Sequence, residues 1–315
     1  MTTQNKLHYK ARQLQVNADH AGRRIDNFLA GYLKDIPKSR LYQMLRKGEV
    51  RVNSARIKQD HRLKAGDKIR IPPLFLGKCL DDVQIPDKLK KILTDNILYE
   101  DNSLLVLNKP AGISVHGGTK QQFGIIEAMR KFKPDRECLD LVHRLDKNTS
   151  GCLLIAKSHR TLRSLHEQLK KGDIEKNYIA LLKHRIKRKF LEVNIPLKKN
   201  KLVSKERIVQ ANSDGKKAVT KFLIEKHFNN SSLAKIRLLT GRTHQIRVHA
   251  AQLGYPVAGD IKYGDRNFNK ELRKAGLKRL FLHAESLKFI NPESGKYIYI
   301  NAPLPDELTK VLKKL

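Results

Sequence analysis

Tryptophan is absent from this sequence of 315 residues, and cysteine occurs only three times, as Cys79, Cys138 and Cys152. An odd number of widely spaced cysteines does not form the disulfide framework on which small secreted proteins depend. We therefore expect reduced thiols, as in a cytoplasmic protein. Hydrophobic residues nevertheless make up 40% of the chain, which is ample for a core and excludes a disordered protein.

Long apolar runs are also missing. The longest uninterrupted ones are of the kind found at residues 153–156 (LLIA), far short of the roughly 20 residues that span a bilayer. Residues 1–16 contain no apolar core of signal-peptide length. We therefore expect no membrane segment, no secretion and a cytoplasmic location.

Acidic residues are scarce beside basic ones. The chain has 31 Asp and Glu against 65 Lys and Arg, which leaves a formal net charge of +34 and a pI near 10.2. Such an excess repels itself in a folded monomer and favours a polyanionic partner. Nucleic acid is the first expectation, ahead of an acidic membrane surface, because no lipid-facing apolar segment is visible.

Several cofactor and metal signatures are lacking. The sequence contains no G-x-x-x-x-G-K-[ST] phosphate loop and no G-x-G-x-x-G placed to open a helix after a strand. Its isolated cysteines cannot supply the P-C-x-x-C of a zinc deaminase. His244 and His249 lack a cysteine partner, so we interpret them as hydrogen-bonding histidines along a strand. We expect neither a cofactor nor a metal.

The N-terminal part of the chain alternates between helical and strand patterns. Apolar residues at helical spacing are followed by a second amphipathic segment that begins near Ser39, a plausible N-cap, and ends at Gly48. Short strands are predicted around residues 50–52, 56–58 and 68–71. This order resembles the S4 RNA-binding domain over roughly residues 22–75. The resemblance implies phosphate contacts by Lys38, Arg40, Arg46, Lys47, Arg56 and Lys58.

The rest of the chain predicts a second, larger domain. We interpret residues 1–21 as an N-terminal tail, 76–96 as a linker with one short helix, and 97–315 as a catalytic domain. Apolar strand-like stretches outnumber helices there without regular alternation, which predicts an α+β domain with a mixed, mainly antiparallel sheet. The basic segment 183–207 is either a further RNA-facing surface or a solvated hairpin. We expect a monomer.

Three stretches of the second domain combine charged side chains with residues typical of tight turns. They are residues 107–118 (LNKPAGISVHGG), 141–151 (LVHRLDKNTSG) and 239–249 (LTGRTHQIRVH). Alone, Asp146 would be read as a solvated turn residue, with Thr149, Ser150 and Gly151 forming a tight turn behind it. The density of hydrogen-bonding groups in the third stretch exceeds what a solvated surface requires.

Together these stretches resemble the motifs of the RluA-type pseudouridine synthases. The segments HRLD with TSG, EKNYIA at residues 175–180, TGRTHQIRVH and NKPAG occur in that family's order across residues 97–300. The resemblance implies isomerisation of uridine to pseudouridine in large-subunit ribosomal RNA, with base flipping and without a cofactor. It implies catalytic roles for Asp146, Tyr178, Arg247 and Arg144.

Each of these residues has an expected task. Asp146 would act as an ionised carboxylate paired with Arg247, Tyr178 would stack on the flipped base, and Arg144 would fill its vacated place. Further contacts to the nucleotide are expected from Lys109, His116, Ile246, Arg242 and His244. Two alternatives stay open: a non-catalytic S4-type, ribosome-associated RNA-binding protein, and a base-flipping hydrolase that would leave abasic RNA.

Overall fold

The chain folds into two compact units, Met1–Ile85 and Pro86–Leu315. The structure is a computed structural model that describes residues 7–9, 11–33, 36, 38–76, 85–117, 123–133, 139–201 and 207–315. Cys79 and Cys138 lie outside the described residues. Cys152 is a buried free thiol, and burial raises its pKa to about 12. No helix in the described ranges is both long and apolar enough to cross a membrane.

The N-terminal unit packs two helices against a small antiparallel sheet. The helices are α1 (Ile25–Tyr32) and α2 (Lys38–Lys47), and a 3-10 turn, Ala18–His20, precedes them. The strands are β1 (Leu7–Tyr9), β2 (Arg12–Gln15), β3 (Arg51–Val52), β4 (Ala55–Arg56), β5 (Lys68–Ile71) and β6 (Leu74–Leu76). The order β2-β5-β3-β4 forms one sheet, and β1 pairs with β6. The segment interpreted as a tail therefore contributes β2 to the sheet.

Apolar residues at the predicted helical spacing form the core of this unit. Ile25, Leu29 and Met44 are fully buried, and Ile69 of β5 closes the core from the sheet side. The turn between β3 and β4 places Asn53 and Ser54 at positive φ (48° and 66°), as tight two-residue hairpins require. The Asn53 side chain secures the turn by accepting from the Lys68 N–H at 2.8 Å.

The second unit is built on one sheet of ten strands. Its order is β12-β15-β16-β11-β17-β10-β8-β7, with β18 beside β17 and β9 beside β10. The strands are β7 (Ile97–Glu100), β8 (Leu104–Lys109), β9 (Asp140–Leu141), β10 (Ser150–Ala156), β11 (Glu175–Lys183), β12 (Phe190–Asn194), β15 (Val219–His227), β16 (Ser231–Leu238), β17 (Leu282–Ile290) and β18 (Tyr297–Asn301). Among the described strands of this sheet, β10 and β17 are the one parallel pair. The predicted α+β class with a mixed, mainly antiparallel sheet is confirmed.

Six helices and one hairpin complete the described part of this unit. The helices are α3 (Asp87–Asp95), α4 (Ile125–Phe132), α5 (His159–Lys171), α6 (Gln245–Gln252), α7 (Arg266–Lys274) and α8 (Asp306–Leu312). The hairpin joins β13 (Leu197–Lys201) to β14 (Arg207–Ala211). Helix α3 lies in the segment interpreted as a linker. Segment 183–207 also contributes β12 to the main sheet, so it is not a single hairpin, and residues 202–206 lie outside the described part.

Local signals set the bounds of α5. The Ser158 side chain accepts from the Thr161 N–H, and Gly172 ends the helix at φ 88°, in the left-handed region where glycine is favoured. Leu165 is fully buried, and Leu162 and Leu169 pack on the same core cluster. This stripe packs on side chains of β8, β10 and β17.

The contact between β10 and β17 requires a glycine at position 151. Gly151 pairs with Ala284 at φ 107°, and an added Cβ would clash with the Ala284 carbonyl. The strand backbones can therefore approach only where no side chain intervenes. Ser150 and Gly151 thus belong to β10 rather than to the turn predicted for residues 149–151.

We expect Gly151→Ala to destabilise the second unit strongly. Gly172→Ala is the matched control, because Gly172 also has positive φ (88°) but has no heavy atom within 4 Å of an added Cβ. Left-handed backbone costs an alanine about 1–2 kcal/mol at either site. The clash should add about 1–3 kcal/mol at position 151 alone. Equal losses of the free energy of unfolding in the two variants, measured with denaturant, would contradict the clash.

Candidate active site

Two of the three motif stretches of the second unit, residues 141–151 and 239–249, meet at one cavity of about 380 Å³. Asp146, Tyr178 and Arg247 line it, together with Arg144, Arg242, His244 and Ile246. Seven of the nine residues expected at the nucleotide therefore share one cavity. Lys109 and His116 are not among its lining residues.

Asp146 lies in the loop that joins β9 to β10. The Thr149 N–H donates to the Asp146 carbonyl at 3.1 Å, so the tight turn comprises residues 146–149. The Asp146 side chain is 22% exposed and points into the cavity. Thr149 is almost fully buried behind the turn. The carboxylate is thus presented by a short, anchored loop rather than by a solvated turn.

His143 anchors the start of this loop. The Val142 N–H donates to the Leu154 carbonyl at 3.1 Å, and the Leu154 N–H donates to His143 Nε2 at 3.1 Å. The imidazole therefore takes the place of a backbone carbonyl where the β9–β10 ladder ends. Burial lowers the pKa of His143 to about 3, so the ring stays neutral and Nε2 remains an acceptor at pH 7.

Lys109 anchors the end of the same loop by binding a backbone carbonyl there. Its ammonium donates to the carbonyls of Pro110, Ile113 and Lys147 at 2.8, 2.9 and 3.0 Å, and the residue is fully buried. All three N–H donors are therefore used, and a direct contact to a nucleotide is not expected from this position. Burial lowers the pKa of Lys109 to about 7, against the charge of Asp146.

Arg247 connects Asp146 to a second carboxylate. Its NH1 lies 3.1 Å from Asp146 Oδ2, while its Nε and NH2 bind both oxygens of Asp260 at 2.7 and 2.8 Å. The Asp260 side chain is fully buried. Burial alone would lower the pKa of Arg247, but the hydrogen bonds and charges of the two aspartates raise it. The guanidinium is therefore a fixed, permanent cation beside Asp146.

The third motif stretch forms a helix start, and our prediction of histidines along a strand was wrong. His244 precedes the first residue of α6 at φ 55°, and His249 lies within the helix. His249 is fully buried between Thr220 Oγ1 (2.8 Å) and the Ile195 carbonyl (3.0 Å). The Gln245 side chain accepts from the Arg242 N–H at 2.9 Å and donates to the Val219 carbonyl at 3.0 Å. These bonds fix the α6 N-terminus on β15, so Arg247 faces the cavity.

Tyr178 enters the cavity from β11. It is 6% exposed, and its neighbour Ile236 on β16 is fully buried beside it. Burial raises the pKa of Tyr178 above its ordinary value, and the charge of Asp146 adds to that shift. The side chain is therefore a neutral phenol, suited to contact an aromatic base.

The remaining predicted residues differ in their setting. Arg144 is exposed at the rim of the cavity, and Ile246 is 4% exposed in its wall. Arg242 is exposed and donates to the Lys217 carbonyl at 3.0 Å. His116 is exposed, and its Nδ1 lies 3.6 Å from Glu127 Oε1. The structure therefore separates His116 from the cavity.

Comparison with known proteins identifies these features as those of one family. Residues 103–252 match the family described as RNA pseudouridylate synthase, and residues 23–69 match the S4 domain. The chain is 48% identical over 311 residues to ribosomal large subunit pseudouridine synthase C of Pasteurella multocida (strain Pm70), covering 98% of this chain and 95% of that protein. The chain belongs to the RNA pseudouridylate synthase family.

Further relatives extend this assignment. Ribosomal large subunit pseudouridine synthase C of Escherichia coli (strain K12) is 48% identical over 304 residues, which cover 95% of each chain. The solved structure of human RNA pseudouridylate synthase domain containing 4 superposes with a TM-score of 0.60 at 27% identity. That superposition covers 72% of this chain and 95% of the human one. The RluA-type resemblance and the isomerase class of this pseudouridine synthase are thereby confirmed.

The predicted phosphate contacts lie within or beside the S4 match. Arg46, Arg56 and Lys58 line one cavity of about 730 Å³ together with Arg24. Arg56 also donates to the Arg46 carbonyl at 2.9 Å, and Arg40 pairs with Glu49 at 3.0 Å. Lys47 is exposed, and the Lys38 side chain lies outside the described part. The role of all six residues in binding RNA stays a prediction.

Two residues next to Arg247 were missed by the sequence analysis. Asp260 binds Arg247, and the Tyr263 ring lies 5.1 Å from its guanidinium carbon. The available signal was a short segment bounded by glycines, residues 259–264 (GDIKYG), with one acid and one tyrosine. Among the described residues, no group of three His, Cys, Asp or Glu side chains could hold a metal ion.

We expect Asp260→Asn to destabilise the pseudouridine synthase unit and to lower its activity. The amide removes the charge that balances Arg247, and breaking a buried pair costs about 3–5 kcal/mol. Asp214→Asn is the control, because Asp214 forms an exposed pair with Lys198 at 3.4 Å that is worth about 0–1 kcal/mol. Denaturant unfolding of both variants checks this, and equal losses would contradict a structural role for the Arg247–Asp260 pair.

Proposed function

We propose that this pseudouridine synthase isomerises uridines of large-subunit ribosomal RNA, with Asp146 as the reacting carboxylate. The observation that carries the proposal is the 3.1 Å contact between Asp146 and Arg247 in a cavity that Tyr178 also lines. The names of the relatives from P. multocida and E. coli support the choice of RNA. We further propose that the protein acts in the cytoplasm as a monomer of two domains, 22–75 and 97–315.

The reaction conserves every atom of the nucleotide. The bond from ribose C1′ to N1 of uracil breaks, the base turns, C1′ bonds to C5, and the C5 proton is lost as N1 gains one. Electrons balance without an oxidant, and the base that leaves C1′ through N1 is the one that rejoins through C5, so no group is lost. The required protein group is therefore a carboxylate that attacks the sugar or base or takes a proton from the sugar, and this chemistry calls for no cofactor.

The two oxygens of Asp146 differ in their surroundings. Arg247 donates to Oδ2, and His244 Nε2 lies 3.8 Å from the same oxygen. Among the described residues, no hydrogen bond to Oδ1 is recorded. Arg247 compensates the cost of an ionised carboxylate in a closed pocket. We therefore assign Oδ1 as the oxygen that meets the nucleotide.

Base flipping explains the other cavity residues. Extruding a base costs a few kcal/mol, and a side chain that enters the vacated stack offsets part of that cost. Arg144 is exposed at the rim with a guanidinium that can stack on neighbouring bases. Tyr178 and Ile246 form a wall against which the flipped uracil would pack.

We expect Asp146→Asn to abolish pseudouridine formation while leaving RNA binding intact. The amide keeps the shape of the side chain but removes the reacting group, so the rate should fall by about 10³-fold or more. Carbodiimide-induced stops in reverse transcription of large-subunit RNA give the measurement. Asp173→Asn, at an exposed acid, is the control.

Three outcomes of that assay have distinct meanings. Stops with the wild type and none with Asp146→Asn support the proposal. Abasic sites in place of pseudouridine would indicate a hydrolase, and binding without any modification would indicate a non-catalytic RNA-binding protein. Full activity of Asp146→Asn would overturn the assignment of this residue.

We expect replacement of S4 lysines to weaken RNA binding in a salt-dependent way. Each lost phosphate contact reduces the slope of log affinity against log salt by about 0.7–0.9. The variant is Lys47→Ala with Lys58→Ala, and its control is Lys310→Ala with Lys313→Ala in and beside α8, where both lysines are exposed. Affinity measured across salt concentrations tests this. An unchanged slope in the S4 variant would refute these two contacts.

A further inference from the structure

His244 is the second cavity residue that faces Asp146. Tyr263 contacts the His244 ring on the side away from Asp146. His244 Nε2 lies 3.8 Å from Asp146 Oδ2, and Nδ1 lies 2.9 Å from the Tyr263 hydroxyl. The Val209 N–H donates to the same hydroxyl oxygen at 3.1 Å. The result is a chain of polar groups from the β13–β14 hairpin through Tyr263 and His244 to Asp146.

The hydrogen bonds of Tyr263 determine which nitrogen of His244 carries the hydrogen. The phenol oxygen accepts from Val209, and its own proton needs an acceptor. Within the described part of the chain, the only acceptor recorded for it is His244 Nδ1. With Tyr263 as the donor to Nδ1, the ring hydrogen sits on Nε2, the nitrogen that faces Asp146.

The ionisation states of both rings fit this assignment. Burial raises the pKa of Tyr263 above its ordinary value, so the hydroxyl keeps its proton. Burial lowers the pKa of His244, and the charges of Arg247 and Lys262 act in the same direction, while Asp146 and Asp260 oppose them. A neutral imidazole is therefore the form present at pH 7.

The backbone and the rings restrict His244 further. Its φ of 55° lies in the left-handed region, which a residue other than glycine adopts only where its surroundings enforce it. The His244 and Tyr263 rings meet edge-on, with centroids 5.5 Å apart at 66°. The Arg247 guanidinium carbon lies 5.1 Å from the centre of the same Tyr263 ring. Tyr263 thus positions both side chains that face Asp146 Oδ2.

We propose that Tyr263 and His244 act as positioning residues that keep an N–H against Asp146 Oδ2. This inference rests on the proposed function of Asp146. The separation of 3.8 Å is longer than a hydrogen bond, so the interaction in the free protein is electrostatic. With Arg247 and the His244 N–H both at Oδ2, Oδ1 is left to react. The other tautomer would present a lone pair and repel the carboxylate.

Tyr263→Phe isolates the hydroxyl from the ring. The phenyl ring still packs under Arg247, but His244 Nδ1 loses its donor, and both tautomers become populated. We expect kcat for pseudouridine formation to fall by about 10- to 100-fold, the usual range for removing an outer-shell partner. KM for RNA should change less than about twofold, because the hydroxyl lies behind the ring that faces the cavity. Tyr297→Phe, at an exposed tyrosine, is the control.

The pH dependence of kcat distinguishes a positioning role of Tyr263 from a purely structural one. Protonated His244 would add a second positive charge beside Asp146 Oδ2 and make the carboxylate a weaker nucleophile or base, so its protonation should produce an acidic limb of kcat. The lost hydrogen bond stabilised neutral His244, so its pKa rises in Tyr263→Phe and that limb should move to higher pH. His244→Gln supplies an amide N–H that does not titrate, so it should retain part of kcat and lose the limb due to His244. Wild-type kcat and an unshifted limb in Tyr263→Phe would overturn the proposal.

The tautomer itself is measurable without turnover. Nitrogen-15 NMR shifts of His244 in the full-length protein should show hydrogen on Nε2 in the wild type and a mixture in Tyr263→Phe. Hydrogen on Nδ1 in the wild type would contradict the proposal. If the wild type forms no pseudouridine, the proposed function fails, whereas the NMR measurement still tests the Tyr263–His244 arrangement.

Discussion

The guanidinium of Arg247 holds the candidate active site together by binding two aspartates at once. Asp260 occupies Nε and NH2 through both of its oxygens, which leaves NH1 for Asp146. Arg247 is 12% exposed and Asp260 is fully buried, so neither charge could be left unpaired without a large penalty. The direction of the Asp146 carboxylate thus follows from the Arg247–Asp260 pair, although Asp260 does not line the cavity.

The sheet supports this arrangement by holding the Asp146 loop at both ends. His143 accepts a hydrogen bond where the ladder between β9 and β10 ends. The Lys109 ammonium donates hydrogen bonds to three backbone carbonyls, one of them in the Asp146 loop. Gly151 lets β10 lie against β17 at the parallel pair of the sheet. Groups that look reactive in the sequence, an imidazole and an ammonium, are therefore used to place the backbone. The Asp146 side chain itself is left partly exposed at the cavity.

The net charge of the whole protein concerns the attraction of RNA, whereas the charges at the candidate site concern the chemistry there. A net charge of +34 draws in a polyanion over a long range and depends on salt. The site instead balances two carboxylates against one guanidinium, with a neutral histidine between. A carboxylate among phosphates would weaken simple RNA binding, so its presence favours chemistry over recognition alone. In our proposal, the Tyr263–His244 pair adjusts that balance without adding charge.

The sequence by itself determined the partner class, the α+β class and the family, because these depend on composition, local periodicity and short motifs. Helical spacing predicted α1 and α2, and the motif segments located Asp146, Tyr178 and Arg247. Only the tertiary structure decided that Lys109 is enclosed, that His116 lies apart from the cavity, and that Asp260 and Tyr263 contact Arg247. Asp146 and Arg247 are 101 positions apart, and sheet order, which local patterns do not encode, brings them within 3.1 Å of each other.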